Sequence, residues 1–147
     1  FLLTILRLAR ERDKLSIVDD QVGAPTWSRA IAEGTKDILR RLGYGQPGFG
    51  DACAQLRGIY NLSAAGQTSW YGFAAAILAH AANARPGEPA FAIERMPVLE
   101  AIATEQYPLP AQRPRYSVLA NAKLQRAFGV VMPDWKTGLA ECMSGRY

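Results

Sequence analysis

Leu15-Ser16-Ile17-Val18-Asp19-Asp20-Gln21-Val22-Gly23-Ala24-Pro25-Thr26 compresses a strand, a polar turn and the approach to a helix into a single short stretch. Leu15, Ile17 and Asp19 point one way from such a strand and Ser16, Val18 and Asp20 the other, so apolar anchorage gives way at its end to two carboxylates and the amide of Gln21. Gly23 suits a close backbone approach or an unusual dihedral, and Pro25 fixes the exit. Thr26 or Ser28 stands where a helix cap is needed. Spacing alone favours an ordinary strand-to-helix loop.

The chain has 147 residues, 49% of them hydrophobic, which suits one globular domain with a real core. It begins at Phe1 with a helical pattern already running, and this sets the expectation of a piece of something longer. A net charge of +4 suits an anionic ligand and falls short of a nucleic-acid-binding stripe. The charge run Arg7 to Lys14 mixes both signs, as a solvated helix face does. Cys53 and Cys142 stand far apart and His80 is the sole histidine, so no thiolate or imidazole metal site is expected, while a disulfide stays open. The apolar run Phe73 to Ala79 is far below the roughly 20 residues of a membrane span, and a cytosolic protein is expected.

Phe1 to Arg12 reads as an amphipathic helix with Leu2, Leu6 and Ala9 on one side. A second helix from about Ser28 carries Ile31, Thr35, Ile38 and Leu42 and stops at Gly43. Gly43-Tyr44-Gly45-Gln46-Pro47-Gly48 fits the spacing of a dinucleotide fingerprint but follows a helix and carries a proline, so Gly43 to Gly50 reads as a flexible surface loop. Ile59, Tyr60 and Leu62 suggest a short strand, and Ala64 to Gln67 a turn. Thr68 or Ser69 caps a helix with the stripe Trp70, Phe73, Ala74, Ile77, Leu78 and Ala81, ended by Asn83 to Pro89. Ala90 to Ile102, broken by Pro97, suits one or two short edge strands. Tyr107 to Pro114 is extended. Asn121 is placed to cap a helix carrying Leu124, Ala127 and Phe128, and Pro133-Asp134-Trp135 opens a last helix to about Met143. Strands thus alternate with helices in an α/β pattern.

Several motifs recur together in family order over nearly all of the chain. They are Phe1 to Arg12 with Asp20 to Thr26, Gly58-Ile-Tyr-Asn-Leu-Ser-Ala64 with Thr68-Ser-Trp-Tyr71, Arg113-Pro-Arg-Tyr-Ser117 and Pro133-Asp-Trp135. In these the chain resembles the C-terminal half of the bacterial dTDP-4-dehydrorhamnose reductases, which are extended short-chain dehydrogenases. The resemblance implies the C-terminal part of a Rossmann-like fold, with substrate-binding helices and short strands. It implies one substrate-binding region over residues 1–147, with the NADP-binding half absent. The whole enzyme would reduce the C4 ketone of dTDP-4-dehydro-L-rhamnose with NADPH, supplying dTDP-rhamnose for cell-wall polysaccharide. Short-chain dehydrogenases also use a Tyr with a Lys four residues later. Here the residues four beyond Tyr44, Tyr60, Tyr71, Tyr107 and Tyr116 are Gly48, Ala64, Ala75, Ala111 and Ala120, so the chain alone should be inert.

By resemblance Asp20, Gln21, Gly23, Ala24, Pro25 and Thr26 lie close to the sugar cleft, and Arg113 with Ser117 near the nucleotide. A carboxylate or amide suits sugar hydroxyls, and a guanidinium suits a diphosphate. Two departures stand out. Members of this family are associated with magnesium at a subunit contact, and some carry a Glu where this chain has Arg29, so the resemblance leaves magnesium open and weakly implied here. Relatives commonly have an Asp where Ala120 stands, leaving Asn121 to cap. Two other readings remain open: another sugar-nucleotide reductase or epimerase of the superfamily, and a non-catalytic interaction module. Unpaired sheet edges would favour self-association.

Overall fold

Residues 14–23 fold as β1 (Lys14–Val18), a polar turn, and the short β2 (Val22–Gly23). β1 pairs in parallel with β4 (Val98–Ile102), from Lys14 opposite Val98 to Val18 opposite Ile102. β4 follows directly on Pro97, as an edge strand tolerates. The computed structural model describes residues 1–83, 93 and 95–145. Length set the expectation of one domain, and the contacts gather into two compact units.

The first unit comprises residues 1–23, 67–118 and 139–147. α1 (Leu2–Glu11) buries Ile5, Leu6 and Ala9 and turns Arg7 and Glu11 to solvent, where they pair at 2.8 Å. That exposed pair contributes at most about 0.5 kcal/mol. α1 packs on α4 (Trp70–Ala82), which also lies against β1. Ser69 caps α4 as expected, its Oγ accepting from Gly72 N at 2.9 Å. Ala74, Ile77, Leu78 and Ala81 form the buried stripe, while Trp70 is 42% exposed and lies off it. β3 (Thr68–Ser69) pairs antiparallel with β2.

The second unit comprises residues 24–66 and 119–138. Its core joins Ala30, Leu124, Phe128, Val130 and Met132, with Ile38, Leu42, Tyr60 and Leu62 packed around them. Burying Leu124 and Phe128 stabilises by about 1.5–3 kcal/mol each. The elements are α2 (Ser28–Arg41), α3 (Phe49–Gln55), α5 (Ala122–Phe128) and the start of α6 (Trp135–Met143). Asp134 holds the α6 start, its Oδ1 accepting from Lys136 N at 2.9 Å.

Five local expectations need correction. The inward face of α2 is Ala30, Gly34 and Ile38, and Ile31 and Thr35 are exposed. Gly34 sets this rotation, because a Cβ there would meet Met132 Sδ at 3.0 Å and a Leu62 methyl at 3.2 Å. Neither Thr26 nor Ser28 caps α2, since Trp27 occupies the cap position without a side-chain bond. Thr26 Oγ1 instead donates to Ala24 O and accepts from Ala64 N, both at 2.9 Å. Ile59, Tyr60 and Leu62 form no strand. Side chains serve that backbone instead: Lys123 donates to Ile59 O at 2.9 Å, and Asn121 donates to Ser63 O at 2.7 Å. Asn121 is thereby drawn away from capping α5. The loop from Gly43 ends at Gly48, because Phe49 and Gly50 already belong to α3. α4 ends at Ala82 with Asn83 as its cap, and the rest of the expected Asn83 to Pro89 stop lies outside the described residues, as does most of Ala90 to Arg95.

Candidate functional site

Parallel strands leave a crevice beyond their carboxyl ends. Here β1 delivers Asp19, Asp20 and Gln21 to that place and β4 delivers Ala103 and Thr104. Asp20 Oδ1 accepts from Thr104 N at 3.0 Å and from Thr104 Oγ1 at 2.6 Å. The Thr104 hydroxyl, more than any other contact, holds the Asp20 carboxyl below the ordinary aspartate range; partial desolvation opposes it, and the Thr104 N–H and Arg115 charge add to it. Gln21 Nε2 donates to Thr104 Oγ1 at 3.1 Å, and Trp70 Nε1 donates to Gln21 Oε1 at 3.2 Å. Asp19 accepts from Ser69 Oγ, so one carboxylate braces the start of α4 and the other braces the segment after β4.

These groups border a cleft of about 800 Å³ in the first unit. That volume lies within the range of small-molecule sites. Ile5 and Leu8 of α1 and Leu15 to Val18 of β1 supply an apolar wall, and Gln21, Trp70 and Thr104 supply the polar end. The indole of Trp70 leans on the Phe1 ring, 4.8 Å between centroids. The segment Tyr107 to Arg115 also lines the cleft; expected to run extended to Pro114, it instead bends at Tyr107, at Pro110 and Ala111, and at Arg115. Arg12 and Arg113 both line the cleft, and neither makes a side-chain hydrogen bond or ion pair among the described residues. Arg115 also lines it but is paired to Glu105 at 3.0 Å. Two unpartnered guanidiniums make the cleft attractive to an anion.

The expected site residues separate into groups. Gln21 and Arg113 line the cleft. Asp20 turns its carboxylate onto Thr104. Gly23 and Ser117 stand in close contact: a Cβ on Gly23 would lie 3.0 Å from Ser117 Oγ, which itself donates to Val22 O at 3.1 Å. The close-approach reading of Gly23 therefore holds, and Ser117 serves the backbone of β2. Ala24, Pro25 and Thr26 belong to the second unit and do not line the cleft. Thr104, Trp70 and Arg12 were not singled out for the site by sequence. Arg12 reads as one more member of a solvated charge run, and Thr104 carries no motif that composition or spacing would flag.

The loop from Gly43 to Gly48 is not a dinucleotide site. Gly43, Gly45 and Gly48 lie between α2 and α3 with no strand before them, so no pyrophosphate cradle forms there. No three His, Cys, Asp or Glu side chains gather among the described residues. Cys53 and Cys142 are both free thiols, and burial pushes that of Cys142 up. No helix among the described residues is long and apolar enough to cross a membrane.

The family model described as the RmlD substrate binding domain matches residues 1–146. The chain belongs to the RmlD substrate binding domain family. A relative from Burkholderia thailandensis, named dTDP-4-dehydrorhamnose reductase, is 45% identical over 143 residues, covering 97% of this chain and 45% of that protein. A crystal structure of dTDP-4-dehydrorhamnose reductase from Bacillus anthracis in complex with NADP matches with a TM-score of 0.68 at 29% identity, over 95% of this chain and 41% of that one. A dTDP-4-dehydrorhamnose reductase from Clostridium acetobutylicum matches with a TM-score of 0.73 at 28% identity, over 98% of this chain and 42% of that one. This member of the RmlD family thus spans under half the length of the relatives it matches. Its mixed helix and strand fold, with a parallel sheet, is that of the corresponding part of those reductases.

Proposed function

We propose that this chain is the sugar-nucleotide-binding part of a dTDP-4-dehydrorhamnose reductase, which with NADPH reduces dTDP-4-dehydro-L-rhamnose to dTDP-L-rhamnose for cell-wall polysaccharide. The reading rests on the family match over residues 1–146, and the cleft supports it with chemistry suited to each part of such a ligand. Arg113 and Arg12 suit the diphosphate, Gln21 a sugar hydroxyl, and the Trp70 ring a flat or apolar face. NADPH, and the Tyr and Lys of the reaction, would come from the other half of the intact enzyme. The enzyme works in the cytoplasm, and this chain by itself self-associates through its open sheet edges.

The test is to assay the intact parent, with NADPH oxidation as readout, on a panel of dTDP and UDP sugars bearing a 4-ketone. Turnover confined to the dTDP-linked 4-dehydro-6-deoxy sugar is the expected result. Preference for a UDP sugar, or epimerisation without net oxidation of NADPH, would assign the chain to another sugar-nucleotide enzyme of the superfamily. The absent Tyr-x-x-x-Lys pair favours one second reading, a non-catalytic binding module. An upstream reading frame containing a glycine-rich loop and that pair would dismiss it.

A further inference from the structure

We propose that Asp20 and Thr104 are positioning residues that orient Gln21 and Trp70 toward the sugar of the bound nucleotide; this rests on the functional reading above. Four side chains form one directed chain of hydrogen bonds: Trp70 Nε1 to Gln21 Oε1, Gln21 Nε2 to Thr104 Oγ1, and Thr104 Oγ1 to Asp20 Oδ1. Its two ends fix the direction of every hydrogen between them. An indole N–H only donates and an ionised carboxylate only accepts. The single Thr104 hydroxyl hydrogen is therefore committed to Asp20, and its lone pairs must take the Gln21 N–H. The Gln21 amide then has one orientation and cannot flip without breaking both bonds.

One amide hydrogen and one carbonyl lone pair of Gln21 are left over, and Gln21 lines the cleft. A donor and an acceptor side by side match a hydroxyl, which both accepts and donates, and match a lone phosphate oxygen poorly. Trp70, 42% exposed, is held at the same end of the cleft by the same chain of bonds. The consequence is selectivity: the relay acts on the sugar and leaves the nucleoside diphosphate to the arginines. Preorganisation of this kind contributes to affinity because the side chains need no ordering when the ligand arrives.

The experiment measures calorimetric affinities of dTDP-L-rhamnose and of plain dTDP for the intact parent enzyme. Thr104→Val keeps the shape of residue 104 and removes the hydroxyl, Thr104→Ser keeps the hydroxyl, and Trp70→Phe, at an exposed ring, removes the indole donor together with part of the ring surface. Thr104→Val should weaken dTDP-L-rhamnose about tenfold and change dTDP less than about twofold, with Thr104→Ser restoring the parent value within about threefold. Trp70→Phe should also weaken the sugar nucleotide selectively. Equal loss of both ligands with a lowered melting temperature would make Thr104 a structural brace and overturn the proposal. Parent-like binding of dTDP-L-rhamnose by Thr104→Val, or by Trp70→Phe should the valine variant not fold, would overturn it equally while leaving the functional reading intact. A parent that binds no dTDP-sugar at all would defeat that reading, and this inference with it.

Discussion

Gly66→Ala tests whether the second unit is held at one tight crossing. Gly66 has φ +76°, a left-handed conformation that costs an alanine about 1–2 kcal/mol. Its new Cβ would lie 3.0 Å from Trp135 Cδ1 and still nearer to Asp134 Oδ2. That carboxylate cannot swing away freely, because its other oxygen accepts from Lys136 N at the start of α6, and losing such a cap costs about 1 kcal/mol. Trp135 is fixed too: Ala65 N donates to Pro133 O at 2.9 Å and Trp135 N donates to Ala65 O at 3.0 Å. Overpacking against these neighbours adds about 1–3 kcal/mol.

Gly45→Ala is the matched control. Its φ is +80°, and nothing stands within 4 Å of a Cβ there, so it carries the left-handed cost and no collision. Part of that cost is offset in both variants by about 0.4–1 kcal/mol, because alanine restricts the unfolded chain. The difference between the two substitutions should therefore be about 2–4 kcal/mol, read from urea denaturation followed by tryptophan emission. Gly66→Ala and Gly45→Ala of equal stability would refute the reasoning, because the Asp134 and Trp135 contacts would then be carrying no energy.

Asp20 and Glu100 are both held below their ordinary carboxylate ranges, Asp20 by Thr104 and Glu100 by Lys14 and Ser16. The unfolded chain therefore binds more protons than the folded one in acid, so stability should be complete above the ordinary carboxylate range and fall as pH drops through it. A melting temperature that does not decline between about pH 6 and about pH 3 would contradict this, and Asp20→Asn should flatten the decline. In the intact parent, Arg113→Ala should weaken dTDP and the dTDP-sugar alike, by about tenfold, whereas Gln21→Ala should weaken only the sugar nucleotide. Unchanged dTDP affinity in Arg113→Ala would make it a surface charge. Because β1 and β4 form a two-stranded sheet, each with an unpaired edge among the described residues, the isolated chain should sediment as more than a monomer and bind a hydrophobic dye. A compact monomer at high concentration would argue against that.

Where local signals sufficed, the chain was legible. Ser69 before an apolar stripe, the amphipathic spacing from Phe1, and Pro133-Asp134-Trp135 ahead of a helix each act within one turn of chain, and the structure bears out each. The misses arise where a distant residue decides. Whether Thr26 caps a helix depends on Ala64 competing for its hydroxyl, thirty-eight positions along. The face of α2 turned inward depends on which position lets Leu62 and Met132 come close, and the smallest residue, Gly34, outcompeted the branched Ile31. An extended run such as Ile59 to Leu62 resembles a strand in sequence, but a strand also needs a backbone partner, and here side chains of Asn121 and Lys123 took that place.

The site itself was only half readable for the same physical reason. Asp20 and Gln21 announce themselves because carboxylate and amide follow an apolar strand, and the family motif strengthens the signal. Their partner Thr104 is eighty-four positions from Asp20 and becomes visible only when β1 and β4 align in parallel and bring their carboxyl ends together. That alignment changes the role assigned to Asp20. In sequence its carboxylate looks available to a ligand, whereas in the fold both hydrogen-bond donors of Thr104 converge on one of its oxygens. A carboxylate committed in this way serves a ligand best by holding others still. The cleft is then divided by charge, with Arg12 and Arg113, unpartnered among the described residues, for the anionic part of a ligand and the neutral Gln21 amide for its hydroxyls, so that affinity and selectivity can be altered separately.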